Sequence, residues 1–251
     1  MLNKIIENKR KEVEIAKKSL PLSNFKHKLK HAKRDFKKAI SKKKLNIIAE
    51  IKRKSPSKSM TKKEFNIKKI IEVYNKYADA ISVLTDKRFF DGSLEDIKNV
   101  SKLSRLPILR KDFIIDEYQI YESRLYNADA ILLIASILSI DKLNKFIEIA
   151  KKYNIDCLVE VNNEEGLNKA LNSNASIIGI NNRNLNTLKV DTETTLRLAD
   201  KIPSDKIIIS ESGILSKDYV KKISGKVNAI LVGTLFMNST KLKKEISSLI
   251  K

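Results

Sequence analysis

Five apolar runs in this 251-residue chain are interrupted, each late in the run, by charged or amide side chains. Glu50 and Lys52 fall in Ile48-Ala49-Glu50-Ile51-Lys52, Lys111 in Leu109-Arg110-Lys111-Asp112-Phe113, and Glu160 in Leu158-Val159-Glu160-Val161. Asn181 and Arg183 end Gly179-Ile180-Asn181-Asn182-Arg183, and Glu211 ends a further run. An ionised group in a low-dielectric interior costs several kcal/mol unless it is paired. A single such pair is ordinary structural polarity. Three cations and three carboxylates at equivalent places in five runs point instead to catalysis. Side chains on a strand alternate faces, so Glu50 shares a face with Lys52, Lys111 with Phe113, and Asn181 with Arg183. One constellation can hold them all.

Strands with converging ends must position such a group. After residue 46, short apolar runs alternate with amphipathic stretches. The runs predict strands at Ile47–Lys52, Ala80–Thr85, Pro107–Phe113, Ala130–Ala135, Asp156–Val161, Ser176–Asn182, Lys206–Ser212 and Ala229–Thr234. Their starts recur every 20 to 33 residues, room for one strand, one helix and two short loops. The strand entries repeat weakly, as Ala78-Asp79-Ala80-Ile81, Ala128-Asp129-Ala130-Ile131 and Val227-Asn228-Ala229-Ile230. Strands apolar on both faces belong to a parallel sheet covered by helices, and eight βα units predict a closed (β/α)8 TIM barrel whose chemistry sits at the carboxyl ends of the strands. An open doubly wound sheet is the alternative, weakened because none of the six glycines forms a Gly-x-Gly-x-x-Gly.

Residues 1–46 stand outside the repeat as a basic helical extension, leaving 47–251 as the barrel, one structural domain overall. Leu2, Ile5, Ile6, Val13 and Ala16 predict one amphipathic helix, and Phe25, Leu29, Phe36 and Ile40 a second, with Pro21-Leu22-Ser23 between them. The extension reads as an added cover. Residues 240–250 read as the last barrel helix.

Gly213 closes the seventh strand and Gly233 the eighth. Loops at these two positions often cradle a phosphate with backbone N–H groups, which glycine lets approach closely. A phosphorylated substrate is expected. His27 and His31 are spaced like metal ligands but lack an accompanying carboxylate motif, and read as surface residues. Cys157 falls on the opposite parity from Glu160, between strand and helix. No Walker A loop, zincin motif or Gly-x-Ser-x-Gly elbow is present, so metal and nucleotide chemistry are disfavoured.

The composition, 42% hydrophobic and 32% charged, suits a folded globular chain. The formal net charge is +21, and residues 1–46 hold 16 Lys and Arg against 4 Asp and Glu. Of the 51 basic residues 42 are lysine, a bias that reads as solvated faces, with steering of an anionic substrate second. Nucleic-acid binding comes third, because no aromatic platform or recognition motif accompanies the charge. One cysteine, no signal peptide and no apolar run of membrane length predict a cytoplasmic protein without a membrane partner. A monomer or weak oligomer is expected.

Ile47-Ile48-Ala49-Glu50-Ile51-Lys52-Arg53-Lys54-Ser55-Pro56-Ser57 closely resembles the signature of the indole-3-glycerol-phosphate synthase family. The resemblance continues through Phe89-Phe90-Asp91-Gly92-Ser93, Leu109 to Phe113, Glu160-Val161-Asn162, Gly179 to Leu185, Glu211-Ser212-Gly213-Ile214 and Val232-Gly233-Thr234, nearly the whole chain. It implies closure of 1-(2-carboxyphenylamino)-1-deoxyribulose 5-phosphate to indole-3-glycerol phosphate, with loss of CO2 and water, and no cofactor or metal.

The resemblance further implies Lys111 as the acid of ring closure, Glu160 and Lys52 as base and acid of dehydration, and Glu50, Asn181 and Glu211 as groups that hold them in register. Desolvation and a neighbouring cation would lower a lysine pKa from its usual value of about 10.4. Arg183, Ser55 and Ser212 would meet the substrate, Phe90, Phe113, Leu132 and Leu231 would line its aromatic side, and Gly213, Gly233 and Thr234 would take the phosphate. The chain departs from the family at Lys58-Ser59, where glycine is common, and at Thr234, where serine is frequent. The nearest enzymatic alternative is another phosphate-binding barrel, such as a phosphoribosylanthranilate isomerase. From a different class, a basic nucleic-acid-binding protein would explain the charge alone.

Overall fold

The computed structural model describes residues 1–55, 58–59 and 66–250. Eight parallel strands close into a barrel: β1 (Asn46–Ile51), β2 (Ala80–Leu84), β3 (Ile108–Lys111), β4 (Ala130–Ile134), β5 (Asp156–Val161), β6 (Ile177–Asn181), β7 (Ile207–Glu211) and β8 (Ala229–Val232). Each strand pairs with its sequence neighbours, and β1 closes the ring on β8 through Asn46 beside Ala229 to Ala49 beside Val232. Parity sorts the strand residues into two cores. Ile47, Ala49 and Ile51 of β1 face outward into the layer shared with the helices, while Ile48 joins Leu109, Leu158, Ile177 and Ile209 inside the barrel.

Most strands end one or two residues before the predicted boundary, so Lys52, Thr85, Asp112, Asn182, Ser212 and Thr234 lie just past the ladder. There the backbone is already turning into the next loop. Ser212 has φ 63°, outside any strand conformation.

The repeated strand entries at Asp79, Asp129 and Asn228 have a common geometry at the base of the barrel. The carboxylate of Asp79 accepts the Ile47 N–H at 3.0 Å, Asp129 accepts that of Ile108 at 2.9 Å, and Asn228 accepts that of Ile208 at 2.8 Å. In each case the backbone N–H of the Asp or Asn donates back to the carbonyl of the same partner. The repeat is a register clamp between neighbouring strands.

Helix α1 (Leu2–Ser19) forms as predicted, but the second predicted helix does not. Residues 22–24 and 26–28 make single 3₁₀ turns, and only α2 (Phe36–Ala39) is α-helical. The apolar residues of this segment anchor at separate places rather than on one stripe. Phe25 packs edge-on against Tyr118 at 5.9 Å between ring centres, whereas Phe36 and Ile40, both fully buried, plug the base of the barrel interior. His27 and His31 are exposed and share no helix face.

The extension therefore runs as a strap from the mouth to the base. At the mouth Lys9, 4% exposed, pairs with Asp86 and Asp112, each at 2.9 Å. At the base Arg34 pairs with Asp129 at 2.7 Å, and Lys42 and Lys44 pair with Asp79 at 2.7 and 3.0 Å.

Helices α3 (Ile67–Tyr77), α4 (Lys87–Phe90), α5 (Leu94–Leu103), α6 (Tyr118–Leu125), α7 (Ile140–Lys151), α8 (Glu164–Leu171), α9 (Glu193–Ala199), α10 (Lys217–Ile223), α11 (Thr234–Asn238) and α12 (Leu242–Ile250) follow the strands. Side chains of Asn66, Asp86, Ser93, Ser139, Asn163 and Ser216 cap six of them by accepting a backbone N–H. Among the described residues no helix is long and apolar enough to cross a membrane.

Candidate active site

A cavity open to solvent occupies the carboxyl ends of the strands. Inward parity and strand-end position bring Glu50, Lys111, Glu160, Asn181 and Glu211 into it from β1, β3, β5, β6 and β7. Lys52 and Arg183 reach it from the residues just beyond β1 and β6. Ser55, Phe90, Phe113, Leu132, Ser212, Gly213, Leu231, Gly233 and Thr234 also line it, so every site residue expected from sequence faces one space. Pro56 and Ser57 of the signature lie outside the described residues. Residues 54–55 and 58–59 pair as a short antiparallel ladder at the mouth.

The charges form two groups. Lys52 Nζ lies 2.7 Å from Glu50 Oε1. Lys111 Nζ bridges Glu160 Oε2 at 2.7 Å and Glu211 Oε2 at 2.6 Å. The Lys111 environment overturns the expected direction of its pKa. Burial is the largest single influence and lowers it, but the facing carboxylates of Glu160 and Glu211 together outweigh burial and hold the ammonium above the usual lysine range. Burial, with Glu160 and Glu50 nearby, pushes Glu211 up to about 7 against the opposing pull of Lys111. One ammonium facing two carboxylates leaves this group with excess negative charge, which together with burial favours the protonated form of Glu211.

Two glycines make room for these carboxylates. A Cβ on Gly233 would stand 2.0 Å from Glu50 Oε1 and 2.8 Å from Lys52 Nζ, and one on Gly179 would stand 2.2 Å from Glu211 Oε1. Such distances are sub-contact, so any side chain at either position displaces a carboxylate. Gly233 thus serves the Glu50–Lys52 pair whether or not it also meets an anion. Gly179 was not among the predicted site residues.

Asn181 Oδ1 accepts the backbone N–H of Arg183 at 2.9 Å, and the Arg183 guanidinium donates to the Leu188 carbonyl at 2.8 Å. Among the described residues no carboxylate pairs with Arg183, leaving its charge for an incoming anion. Opposite the charged groups, Phe90 and Phe113 stand 6.2 Å apart in a tilted arrangement and continue the apolar wall of Leu132 and Leu231. Sequence reasoning missed Ile5, which brings the first turns of α1 into the cavity wall.

Arg110 and Asp112, neighbours of Lys111, point outward. Arg110 pairs with Asp112 at 3.0 Å and Glu122 at 2.9 Å, and Asp112 also meets Lys9 and the Thr85 hydroxyl. A buried polar network therefore stands directly behind the strand that carries Lys111.

The family model of indole-3-glycerol phosphate synthase matches residues 2–249. The indole-3-glycerol phosphate synthase of Caldanaerobacter subterraneus subsp. tengcongensis is 49% identical over 239 residues, covering 94% of this chain and 93% of that protein. The enzyme of the same name from Thermoanaerobacter pseudethanolicus is 44% identical, covering 100% and 97%. The tryptophan biosynthesis protein TrpCF of Buchnera aphidicola subsp. Acyrthosiphon pisum is 45% identical over 99% of this chain, which spans only 55% of that longer protein. Among solved structures, 3-hexulose-6-phosphate synthase from Salmonella typhimurium superposes with a TM-score of 0.65 at 12% identity, over 82% of this chain and 96% of that one, a likeness of fold.

Proposed function

The chain belongs to the indole-3-glycerol phosphate synthase family, and from that premise we propose how its residues divide the chemistry. The reaction is that of a carboxy-lyase in tryptophan biosynthesis: 1-(2-carboxyphenylamino)-1-deoxyribulose 5-phosphate becomes indole-3-glycerol phosphate, with loss of CO2 and water. The aromatic ring attacks the ribulose carbonyl, whose oxygen gains a proton as CO2 departs. The resulting hydroxyl leaves as water, and loss of a further proton restores aromaticity. Two acids and one base are needed.

Lys111 is the acid of ring closure. Its resting ammonium is too tightly held to give up a proton freely, so it acts first as a positive charge that polarises the carbonyl, and the proton moves as negative charge develops on oxygen. Glu160, in contact with Lys111, is the base of dehydration, and Lys52 is its acid. Glu50, Asn181 and Glu211 hold these groups in register. Arg183, with Ser55 and Ser212, meets substrate, and Gly213, Gly233 and Thr234 take its phosphate. The supporting observation is the separation of two lysines, each with its own carboxylate, on one cavity with an apolar wall.

Residues 1–46 and 47–251 act as one structural domain in this reading, which places a monomer or weak oligomer in the cytoplasm with no cofactor and no nucleic-acid or membrane partner. Supplying the substrate without metal or cofactor should produce indole absorbance and fluorescence. A Lys52→Met variant should still close the ring but stall before dehydration. If Lys52→Met blocks ring closure and Lys111→Met does not, the two acids are exchanged.

A further inference from the structure

Asn182 stands next to the cavity without facing it. Its neighbour Asn181 points inward, so Asn182 takes the outer face, where it is 2% exposed. Its amide joins three elements. Oδ1 accepts from the Thr195 N–H at 3.0 Å and the Thr195 hydroxyl at 2.9 Å, while Nδ2 donates to the Tyr219 hydroxyl at 3.1 Å and to the Ser212 carbonyl at 3.0 Å.

The last bond has a geometric consequence. Ser212 (φ 63°) and Gly213 (φ 73°) both lie in the left-handed region, which a serine adopts rarely and only where its surroundings impose it. The peptide between them is trans, so its C=O and N–H point in opposite directions. With the Ser212 carbonyl drawn outward to Asn182, the Gly213 N–H is turned toward the cavity, which Ser212, Gly213 and Ile214 line. Among the described residues no group accepts a hydrogen bond from that N–H.

We propose that Asn182 is a positioning residue for the substrate phosphate: by holding the Ser212 carbonyl it aims the Gly213 N–H at the anion. This rests on the reading of Gly213 as part of the phosphate site. Asn182→Asp is the sharpest test, because the shape and the acceptor for Thr195 survive while the donor to Ser212 becomes a second acceptor that repels the carbonyl.

Inorganic phosphate as competitive inhibitor reports on the anion site, and 2-aminobenzoate on the aromatic side. Asn182→Asp is expected to raise the phosphate Ki and the substrate KM together by about tenfold or more, with kcat within about threefold and the 2-aminobenzoate Ki unchanged. Thr195→Val loosens the same junction without touching the Ser212 carbonyl, so it should lower the melting temperature and leave the phosphate Ki in place. If Asn182→Asp does not fold, Asn182→Ala removes the donor without adding charge and should move the same constants in the same direction. The proposal is overturned if phosphate competes in the wild type but its Ki is unmoved in the Asn182 variant, or if Thr195→Val raises it equally. If phosphate does not compete in the wild type, the phosphate reading of Gly213 fails, and the proposal with it.

Discussion

At the scale of single residues, Lys111 faces two carboxylates that hold its ammonium charged, while Lys52 pairs with Glu50 alone. If Lys111 is the acid proposed above, Lys111→Met removes it with little change in apolar volume, so kcat should fall by about 10²–10⁴-fold while KM stays within about tenfold. Indole absorbance measures both, and near-wild-type turnover would remove Lys111 from its role. Glu160→Gln keeps the shape but cannot accept a proton, so stopped-flow traces should show the cyclised, decarboxylated intermediate accumulating ahead of dehydration. A slower formation of that intermediate would place the base elsewhere. Glu211 offers a test through stability. Its carboxyl sits at about 7 in the folded protein against an ordinary value of 4.5. Between those values the folded state keeps a proton that the unfolded chain has released, so stability falls as pH rises, by at most about 1.4 kcal/mol per pH unit. Glu211→Gln should abolish that contribution, read from urea unfolding at several pH values across the window. Equal slopes in both proteins would show the carboxylate ionised throughout.

At the scale of elements, the cavity is legible in the sequence because alternation follows from the strand period and convergence of the carboxyl ends from closure of eight βα units. What stayed hidden depends on approach across the fold. Ile5 and Lys9 belong to a helix whose docking no local period specifies. Gly179 is explained only by the Glu211 carboxylate lying against it, and the direction of the Lys111 pKa only by the two carboxylates it meets. The second predicted helix failed because Phe25 and Phe36 found different burial sites, which outweighed the periodicity linking them. Lys9 is where this kind of contact is most costly to lose. Lys9→Met would leave Asp86 and Asp112 buried without their ammonium, and should destabilise the protein by about 3–5 kcal/mol in urea unfolding. A second change, Asp86→Asn, should recover part of that loss. Additive effects of the two would mean that the pair contributes nothing as a pair.

For the molecule as a whole, the strap makes truncation a question of where the cut falls. Deleting residues 1–40 removes Phe36 and Ile40 from the barrel base as well as Lys9 and Ile5 from the mouth, so the melting temperature should collapse along with activity. Deleting only residues 1–19 spares the base plug, so it should weaken substrate binding and, through the loss of Lys9, lower the melting temperature, but by less than the longer deletion does. Equal melting temperatures for the two truncations would show that the plug adds nothing.

The strap also sets an order of assembly during synthesis. Its residues leave the ribosome before the barrel strands, yet some of the groups that receive them come late: the Asn46 amide donates to the Asn228 carbonyl, 182 positions downstream, and the inner core that holds Phe36 and Ile40 draws on every strand through Leu231 of β8. At about 5–20 residues per second, those partners emerge roughly ten to forty seconds afterwards. Over that interval a lysine-rich segment carrying two large apolar side chains has no completed barrel to plug. Its abundant like charge favours solvation over association between chains, so the same lysines and arginines that later seat the strap through ion pairs oppose aggregation of a segment that precedes its partners.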